Sequence, residues 1–405
     1  MVRRKWSAIC AALIVFVLGS CGDEGDTAGT DTTVGTGTVS PSVTTTAPPS
    51  GTQDTATSGD PGLDLDGTVE EIFAQLGELP DEERLAIIRE RAEEEGTLTM
   101  YTVSNLEDTE ASVAHFQELY GVPVEYIRLE DAAFSDRVLL ENQTGQHLVD
   151  IMDVSGPDAV RLQSEGMFAR LSNAPVAPEN YPDSAVTEYG VVHQLNPLLM
   201  WWNTDLVGPD EAPTELDDFL DPVWRGRVGI TSFPDDLTLA LIEDRGEEGA
   251  REFLTGLVVD NEAVIRQGHS NSAVALIAGE FDAHVGLLAS TSLPRIEEGA
   301  PIDWAFVEPY PVNLGVTYIY AEAPHPFAAL LWMTYKSSLE GQQADADSGS
   351  PVLHPDVEQA FEAYAEMNQV VIDGEAMLLT NEIVGEHAAT AEALIEEIVV
   401  PRFRE

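Results

Sequence analysis

The feature that most constrains the fold of this 405-residue chain is a regular alternation of strand and helix patterns. Short runs rich in β-branched, aromatic and other apolar residues predict strands at Leu98–Val103, Val122–Leu129 and Leu148–Val154. Helical patterns that stop at glycines predict helices at Thr109–Tyr120 and Phe134–Thr144 between them. Strands joined through helices pair in parallel and need helices on the faces of the sheet, so an α/β fold is predicted.

The same alternation continues in the second half of the chain. Six further strands are predicted at Leu198–Trp202, Val228–Thr231, Ala263–Gln267, Ala283–Leu288, Ile302–Val307 and Val316–Ala321. The tail from His325 onward is predicted to be mostly helical. A body of roughly 340 residues holds more apolar sequence than one small domain uses, so two lobes are expected.

The first sixty residues differ from the rest in composition. A basic start at Arg3–Lys5 and an apolar run at Ala8–Leu18, too short to span a bilayer, predict a signal peptide over residues 1–20. Leu18–Cys21 resembles the lipobox of bacterial lipoproteins, in which the cysteine is lipidated. Residues 21–62, rich in Thr, Ser, Gly and Pro, are predicted to be a disordered linker. We therefore expect a body anchored by Cys21 on the extracytoplasmic face of the cell membrane.

Charge and cysteine usage narrow the possible partners. The formal net charge is −53, and lysine occurs only at Lys5 and Lys336. Such a chain cannot neutralise phosphates along a nucleic acid, so nucleic-acid binding is excluded. Acidic residues spread through every segment indicate a salt-adapted surface, with a cationic ligand as the alternative. Both cysteines, Cys10 and Cys21, precede the body, which therefore has no disulfide.

Small polar residues follow the predicted strands. In open α/β sheets, ligands bind at the carboxyl ends of strands, where helix N-termini also point. Residues of these types are also common helix caps, which is the competing explanation for each of them. No metal site and no cofactor is predicted, because His193 and His269 lack metal-ligand spacing. The candidate ligand-binding residues are Ser104, Asn105, Ser155, Gly156, Ser232, Ser270, Ser272, Ser290 and Thr291.

Several passages in order resemble the extracellular solute-binding proteins of bacterial ABC importers, in the branch named for ferric-iron binding. The likeness covers about residues 85 to 345. The passages are Arg91–Thr102, Phe116–Gly121 with Val124–Tyr126, Asp150–Ser155, Asn203–Asp205, Leu220–Gly229, Ala323–Pro326 and Ser338–Gln342.

The resemblance implies the two-lobed type II periplasmic binding protein fold, each lobe a mixed, mostly parallel sheet flanked by helices. Lobe 1 would take residues 63–196 together with 316–405, and lobe 2 would take residues 197–315. Crossing strands near Asn196–Trp202 and Asn313–Thr317 would form the hinge. The resemblance further implies a monomer that closes on a small-molecule ligand and delivers it to the transmembrane permease of an ABC importer.

The resemblance leaves the ligand to be decided by the site. Ferric members typically carry two adjacent tyrosines where a strand of the second lobe meets its helix, and this chain has Ala289–Ser292 there. Neutral hydroxyls are poor ligands for Fe(III), whereas hydroxyls at helix N-termini suit a phosphate, phosphonate or carboxylate group. An organic anion is therefore predicted, with Arg266 or Arg295 assisting; ferric iron is the alternative. Asp235 and Asp236 could receive an ammonium group on the same ligand.

Two alternatives belong to other functional classes. Gly268–Ser272 is similar to the nucleophile elbow of serine hydrolases, with Ser270 as nucleophile and Asp303, His325 and His354 as later acid and base candidates. Ser272 stands where the elbow needs glycine, which argues against catalysis. A lipoprotein with a purely structural or adhesive role is the other alternative.

Overall fold

The computed structural model describes residues 65, 67–104, 106–129, 131–171, 176–178, 180–182, 185–306 and 308–403. These residues belong to one unit, Pro61–Glu405. The predicted signal peptide, Cys21, the whole predicted linker, and Asn105 lie outside the described residues.

Strands and helices alternate along the described chain as the sequence predicts. The strands are β1 (Leu98–Thr102), β2 (Val124–Arg128), β3 (Ile151–Asp153), β4 (Gly190–Asn203), β5 (Val228–Thr231), β6 (Val264–Arg266), β7 (Ala283–Leu288), β8 (Ile302–Ala305), β9 (Pro311–Ile319) and β10 (Met377–Leu378). The helices are α1 (Val69–Gly77), α2 (Asp81–Glu95), α3 (Leu106–Tyr120), α4 (Asp131–Gln143), α5 (Gly156–Ser164), α6 (Asp235–Thr255), α7 (Gly268–Ile277), α8 (Ala289–Glu297), α9 (Pro326–Ser337), α10 (Leu339–Asp347), α11 (Glu362–Ile372), α12 (Asn381–Ile398) and α13 (Val400–Phe403).

The strands form one continuous order, β2-β1-β3-β9-β4-β7-β5-β6, with β10 beside β9 and β8 beside β4. Strands β1, β2 and β3 pair in parallel at one end, and β5, β6 and β7 pair in parallel at the other. Every antiparallel pairing involves β4 or β9. The two parallel groups are therefore joined by the antiparallel pair β4–β9, and the predicted α/β fold is confirmed.

Strand β4 shows why the sheet is covered on both faces. Its side chains alternate between two hydrophobic clusters: Leu199 and Trp201 pack in the first, and Leu198, Met200 and Trp202 pack in the second. Successive side chains of a strand point to opposite faces, so both faces of the sheet here are apolar. A strand buried on both faces reads as a continuous apolar run, which this segment is.

The two strands that were predicted to cross between lobes are longer than the sequence pattern indicated. Gly190 of β4 lies opposite Tyr318 of β9, and the pairing continues to Pro197 opposite Val312. The strand signals covered only Leu198–Trp202 and Val316–Ala321, because polar residues and prolines interrupt the apolar pattern in Gly190–Pro197 and Pro311–Gly315. Long-range pairing extends both strands, and we call this pair the β4–β9 ribbon.

The packing of the C-terminal helices bears on the predicted lobe boundaries. Residues Val384, Ala391, Leu394 and Ile395 of α12 are buried in the second hydrophobic cluster, together with Leu241 and other residues of α6. The sequence analysis placed residues 316–405 with lobe 1, whereas this helix packs on α6, which was assigned to lobe 2. The lobe boundaries remain a prediction, in which α12 is better grouped with α6.

Candidate functional site

A cavity of about 660 Å³ opens where strand ends from both parallel groups meet beside the β4–β9 ribbon. It has the size of a small-molecule binding site, and we call it the cleft. Its lining is mostly polar. The lining residues are Val103, Ser104, Asp108, Asp153, Val154, Ser155, His193, Gln194, Asn196, Ser270, Leu288, Ser290, Thr291, Pro294, Arg295, Asn313, Gly315, Val316, Ser348, Gly349 and Ser350.

Five of the predicted ligand-binding residues meet in this cleft. They follow four different strands and are Ser104, Ser155, Ser270, Ser290 and Thr291. Ser155 occupies the N-cap position of α5, yet its side chain makes no capping hydrogen bond. Capping therefore does not account for this hydroxyl, which remains available to a ligand.

The remaining predicted residues lie elsewhere. Ser232 and Ser272 are buried and do not line the cleft, and the Ser272 hydroxyl donates to the carbonyl of Gly268 over 2.8 Å. Gly156 lines a neighbouring cavity rather than the cleft. Asn105 is outside the described residues. The predicted set is corrected accordingly, because these hydroxyls and backbone groups point into the protein or onto another face.

Several cleft residues were missed by the sequence reasoning. Gln194, Asn196 and Asn313 come from the ribbon, and Ser348 and Ser350 come from the loop after α10. The serines carry no local pattern that would reveal them, since α10 brings them to the cleft from far along the chain. Asp153 did carry a signal: it is a charged residue inside the otherwise apolar run Ile151–Val154.

Asp153 is the most unusual titratable group in the cleft. Burial raises its pKa to about 6, against the smaller opposing effects of the Lys336 charge and the Thr317 hydroxyl; the nearby Asp345 charge raises it further. Thr317 lies opposite Asp153 across the β3–β9 pair. Neither Asp153 Oδ1 nor Thr317 Oγ1 has a hydrogen-bond partner, so the Thr317 hydroxyl lowers the pKa of Asp153 through its nearby dipole and not through a hydrogen bond between these two atoms.

His193 lies on the ribbon in the same wall of the cleft and is buried. Burial, and then the positive charge of Lys336, hold the pKa of this imidazole well below its usual value, so the ring is neutral at physiological pH. Its Nδ1 has no hydrogen-bond partner and lies 4.0 Å from Asp345 Oδ2. A neutral ring with a free nitrogen can accept or donate one hydrogen bond to a ligand.

Directly beneath this wall lies a buried ion pair. Lys336 Nζ is 2.5 Å from Asp345 Oδ2, and the hydroxyl of Ser112 donates to Asp345 Oδ1 over 2.5 Å. Lys336 and Asp345 are both buried. Asp153, His193, Lys336 and Asp345 also line one small cavity together, which places the pair next to the cleft.

A second cavity of about 700 Å³ lies beside the first, lined by α12 and the N-termini of α5 and α6. Burial raises the pKa of Asp236 there to about 6, opposed by a hydrogen bond from Asn313 Nδ2, which lies 3.1 Å from Asp236 Oδ1. The cavity shares Ser155, Asn313 and Val316 with the cleft. Asp235 and Asp236 thus face this second cavity and not the cleft.

The predicted hydrolase partners of Ser270 are not assembled around it. His325 Nδ1 lies 3.0 Å from Asp150 Oδ2, and His354 Nδ1 accepts from the backbone N–H of Asp356 over 3.2 Å. Neither histidine lines the cleft, and Asp303 does not line it either. The acid and base candidates that the sequence offered for Ser270 are therefore absent from the cleft.

The groups that a ferric site would use can also be located. The lining residues of the cleft, all of which the structure describes, include no tyrosine. Among the described residues, no group of three or more His, Cys, Asp and Glu side chains could hold a metal ion. In the same part of the chain, no helix is long and apolar enough to cross a membrane.

Solved structures show the same fold. Iron-bound HitA from Pseudomonas aeruginosa superimposes with a TM-score of 0.62 at 20% identity, over 75% of this chain and 99% of that chain. The Trichodesmium protein FutA, solved with iron and citrate ligands, gives 0.61 at 17% identity, over 75% and 99%. AfuA from Actinobacillus pleuropneumoniae, with exogenous fructose-6-phosphate bound, gives 0.58 at 16% identity, over 75% and 98%. These superpositions show a shared fold, and the ligands bound in the three structures differ.

The sequence was also compared with protein families. No curated protein matches the chain. A family model described as bacterial extracellular solute-binding protein matches residues 146–373, which is more than half of the chain and includes β3 through α11. The match spans most of the cleft residues as well as the β4–β9 ribbon. By its sequence and its fold, this chain belongs to the bacterial extracellular solute-binding proteins.

Proposed function

We propose that this protein captures a small organic anion in the cleft and delivers it to the permease of an ABC importer. The anionic group would be a phosphate, a phosphonate or a carboxylate. The observation that carries the proposal is the meeting of five hydroxyl side chains from four strand ends in one cavity of about 660 Å³. Hydroxyls donate hydrogen bonds to oxyanions without adding charge.

The anionic group is assigned to the first turn of α8. Ser290 and Thr291 lie in this turn and line the cleft. Unpaired backbone N–H groups and the helix dipole at this end favour negative charge. Arg295, the one arginine among the lining residues, donates to the carbonyl of Thr291, which holds the guanidinium within the same helix. Proteins of similar fold include one solved with fructose-6-phosphate and one solved with iron and citrate ligands; fructose-6-phosphate and citrate are both organic anions.

The lobes would close by bending at the β4–β9 ribbon. The cleft combines Ser104 and Ser155, which follow strands β1 and β3, with Ser290, which follows β7. Closure would bring these groups onto one ligand and present a changed surface to the permease. We propose further that the protein is a monomer held at the cell membrane by a lipid on Cys21. Cys21→Ser should therefore move the protein from the detergent phase to the aqueous phase in a Triton X-114 partition.

Isothermal titration calorimetry with inorganic phosphate, ethylphosphonate, fructose-6-phosphate, citrate and ferric citrate tests the ligand class. The double variant Ser290→Ala, Thr291→Val removes two neutral hydrogen bonds, so we expect an affinity loss of about tenfold or more for the bound anion. Ser164→Ala is the matched control, because Ser164 is exposed on α5 and its hydroxyl donates to the carbonyl of Arg161.

Three results would contradict the proposal. Binding of ferric iron with no response to any organic anion would favour the ferric alternative. Equal affinities in the double variant and the Ser164→Ala control would show that the anion does not bind at the first turn of α8. Hydrolysis of p-nitrophenyl esters that is lost in Ser270→Ala would instead establish the catalytic alternative.

A further inference from the structure

The wall of the cleft formed by β3 and the ribbon carries a carboxylate oxygen with no hydrogen-bond partner. Asp153 is only 7% exposed, lines the cleft, and leaves its Oδ1 without a hydrogen bond. Buried carboxylates in folded proteins are normally paired or hydrogen bonded, because an isolated buried charge is strongly disfavoured. An unpaired buried oxygen on a residue that lines a ligand cavity therefore points to a group that arrives with the ligand.

The charges around Asp153 leave one negative charge uncompensated. The buried groups near it are Asp345, Lys336 and the neutral His193. Lys336 is the only lysine in the body, and its Nζ already forms an ion pair with Asp345, 2.5 Å from Oδ2. Two carboxylates thus share one ammonium group. Asp345 is satisfied by Lys336 and Ser112, so the ionised form of Asp153 would be compensated only by a second cation.

No other side chain of the cleft supplies that cation. Asp108, which also lines the cleft, adds a further acid, and Thr317 across the β3–β9 pair is neutral. Arg295 is the one arginine in the lining, and it donates to a carbonyl of α8. His193 offers a free Nδ1 in the same wall. The wall formed by β3 and the ribbon therefore presents acceptors, whereas the first turn of α8 presents donors.

We propose that Asp153 is a ligand-binding residue and that the ligand carries a protonated amine, which pairs with Asp153 Oδ1 while His193 Nδ1 accepts a second hydrogen bond from it. This inference rests on the proposed capture of an anion in the same cleft. Together, the two ends define the ligand as a small zwitterion, with an ammonium group at Asp153 and a phosphate, phosphonate or carboxylate at α8.

An ammonium group at this position would provide specificity as well as affinity. A site built around an unpaired buried acceptor rejects an analogue that lacks the matching donor, since the acceptor then stays unsatisfied. The ligand's amine would also restore the balance of charge in the wall. A hydroxyl in place of the amine would satisfy the hydrogen bond but leave the charge uncompensated.

The test compares 2-aminoethylphosphonate with 2-hydroxyethylphosphonate, ethylphosphonate and ethylamine by isothermal titration calorimetry. We expect the amino compound to bind the parent protein about 30-fold more tightly than the hydroxy compound, as for a desolvated charge pair. Asp153→Asn should abolish this preference. Asp347→Asn is the control for loss of one negative charge, because Asp347 is exposed on α10 and contacts Gln343.

A measurement without mutation keeps the test independent of how Asp153→Asn folds. In the parent, the preference for the amino over the hydroxy compound should decline as the pH falls from about 8 to about 5, because Asp153, with its pKa raised to about 6, becomes protonated. The second phosphonate pKa is lower in the amino compound, because its ammonium group stabilises the dianion, so each affinity is first corrected for the fraction of its own phosphonate that is doubly ionised. A ratio that does not change with pH would count against the pairing.

The outcomes separate this inference from the proposed function. If all the phosphonates bind equally and the variant at Ser290 and Thr291 weakens them all, the anion site stands and the amine site is overturned. If ethylamine binds as well as the amino compound and depends on Asp153, the amine site stands and the anion site fails. If Asp153→Asn keeps the preference, or no amine binds at millimolar concentration, the inference is overturned.

Discussion

Replacing Asp153 with asparagine should make the protein more stable at neutral pH while weakening the binding of an amine-bearing ligand in the cleft. The substitution keeps the shape of the side chain and removes one buried negative charge. Asp153 Oδ1 has no hydrogen-bond partner in the folded protein, so the substitution breaks no contact at that atom. Removing the buried charge should therefore increase the free energy of unfolding by the amount that the charge lowers it in the parent.

The raised pKa sets the size and the pH range of the effect. The pKa of Asp153 is raised from 3.8 to about 6, so the folded protein keeps a proton at pH values where the unfolded chain has already released it. The ionised carboxylate consequently lowers stability above about pH 6, and this penalty fades as the pH falls toward about 4. At about 1.4 kcal/mol per pH unit, the full penalty is about 3 kcal/mol.

Urea unfolding of the parent and of Asp153→Asn, followed by tryptophan fluorescence at a series of pH values, measures this difference. The variant should exceed the parent by about 3 kcal/mol near pH 7.5 and by almost nothing near pH 4. With an m-value of roughly 3 kcal/mol/M for a chain of this size, the midpoint should move by about 1 M. Other titrating groups cancel, because they are common to both proteins.

Two results would refute the reasoning. A variant that is less stable than the parent at every pH would show that Asp153 makes a stabilising contact in the folded protein. A gain that does not depend on pH would show that its carboxyl is not strained by burial. Asp347→Asn serves as the control here as well, since its exposed side chain should change the free energy of unfolding little at any pH.

Three further predictions concern the core, the ribbon and the surface. Lys336→Met should lower the free energy of unfolding, measured in urea, by about 3–5 kcal/mol, because Asp345 and Asp153 lose their only buried cation. Adding Asp345→Asn should recover part of this loss. A loss below about 1 kcal/mol in Lys336→Met would contradict the prediction. Gly190→Ala should lower the free energy of unfolding by about 1–3 kcal/mol in the same assay, because the added Cβ would lie 2.7 Å from the carbonyl oxygen of Thr317. Gly208→Ala is the control and should be neutral, because its Cβ would meet nothing within 4 Å. Equal effects of the two substitutions would contradict the close approach at Gly190. Raising KCl from about 0.1 M to about 1 M should increase the melting temperature, since the net charge of −53 is then screened, and a decrease would contradict the salt-adapted surface.

Much of the fold could be predicted from local patterns. The predicted strands Val228–Thr231 and Ala283–Leu288 agree with β5 and β7 residue for residue, because each is a short, mostly apolar run that begins directly after a charged residue. The ribbon was harder. Polar residues interrupt the apolar pattern of Gly190–Pro197, and pairing with β9, which lies more than a hundred residues further along the chain, makes this segment a strand.

The candidate site was predicted in outline. Because the carboxyl ends of parallel strands gather at one edge, Ser104, Ser155 and Ser290 could be expected to meet. Ser232 follows β5 in the same way and yet is buried beside the backbone of Arg266, to whose carbonyl its N–H donates. Position after a strand therefore does not ensure a place in the cleft, and it is not required for one, since Ser348 and Ser350 follow α10.

The sequence by itself determined the class of fold, the family and the types of side chain at the strand ends, because these depend on periodicity, turn residues and short motifs that lie close together in the chain. Only the tertiary structure decided which of those side chains share a cavity. It also revealed that Asp153 is buried beside a lysine already paired with Asp345. Burial and charge balance are properties of neighbours brought together from β3, α9 and α10, and no local pattern encodes them.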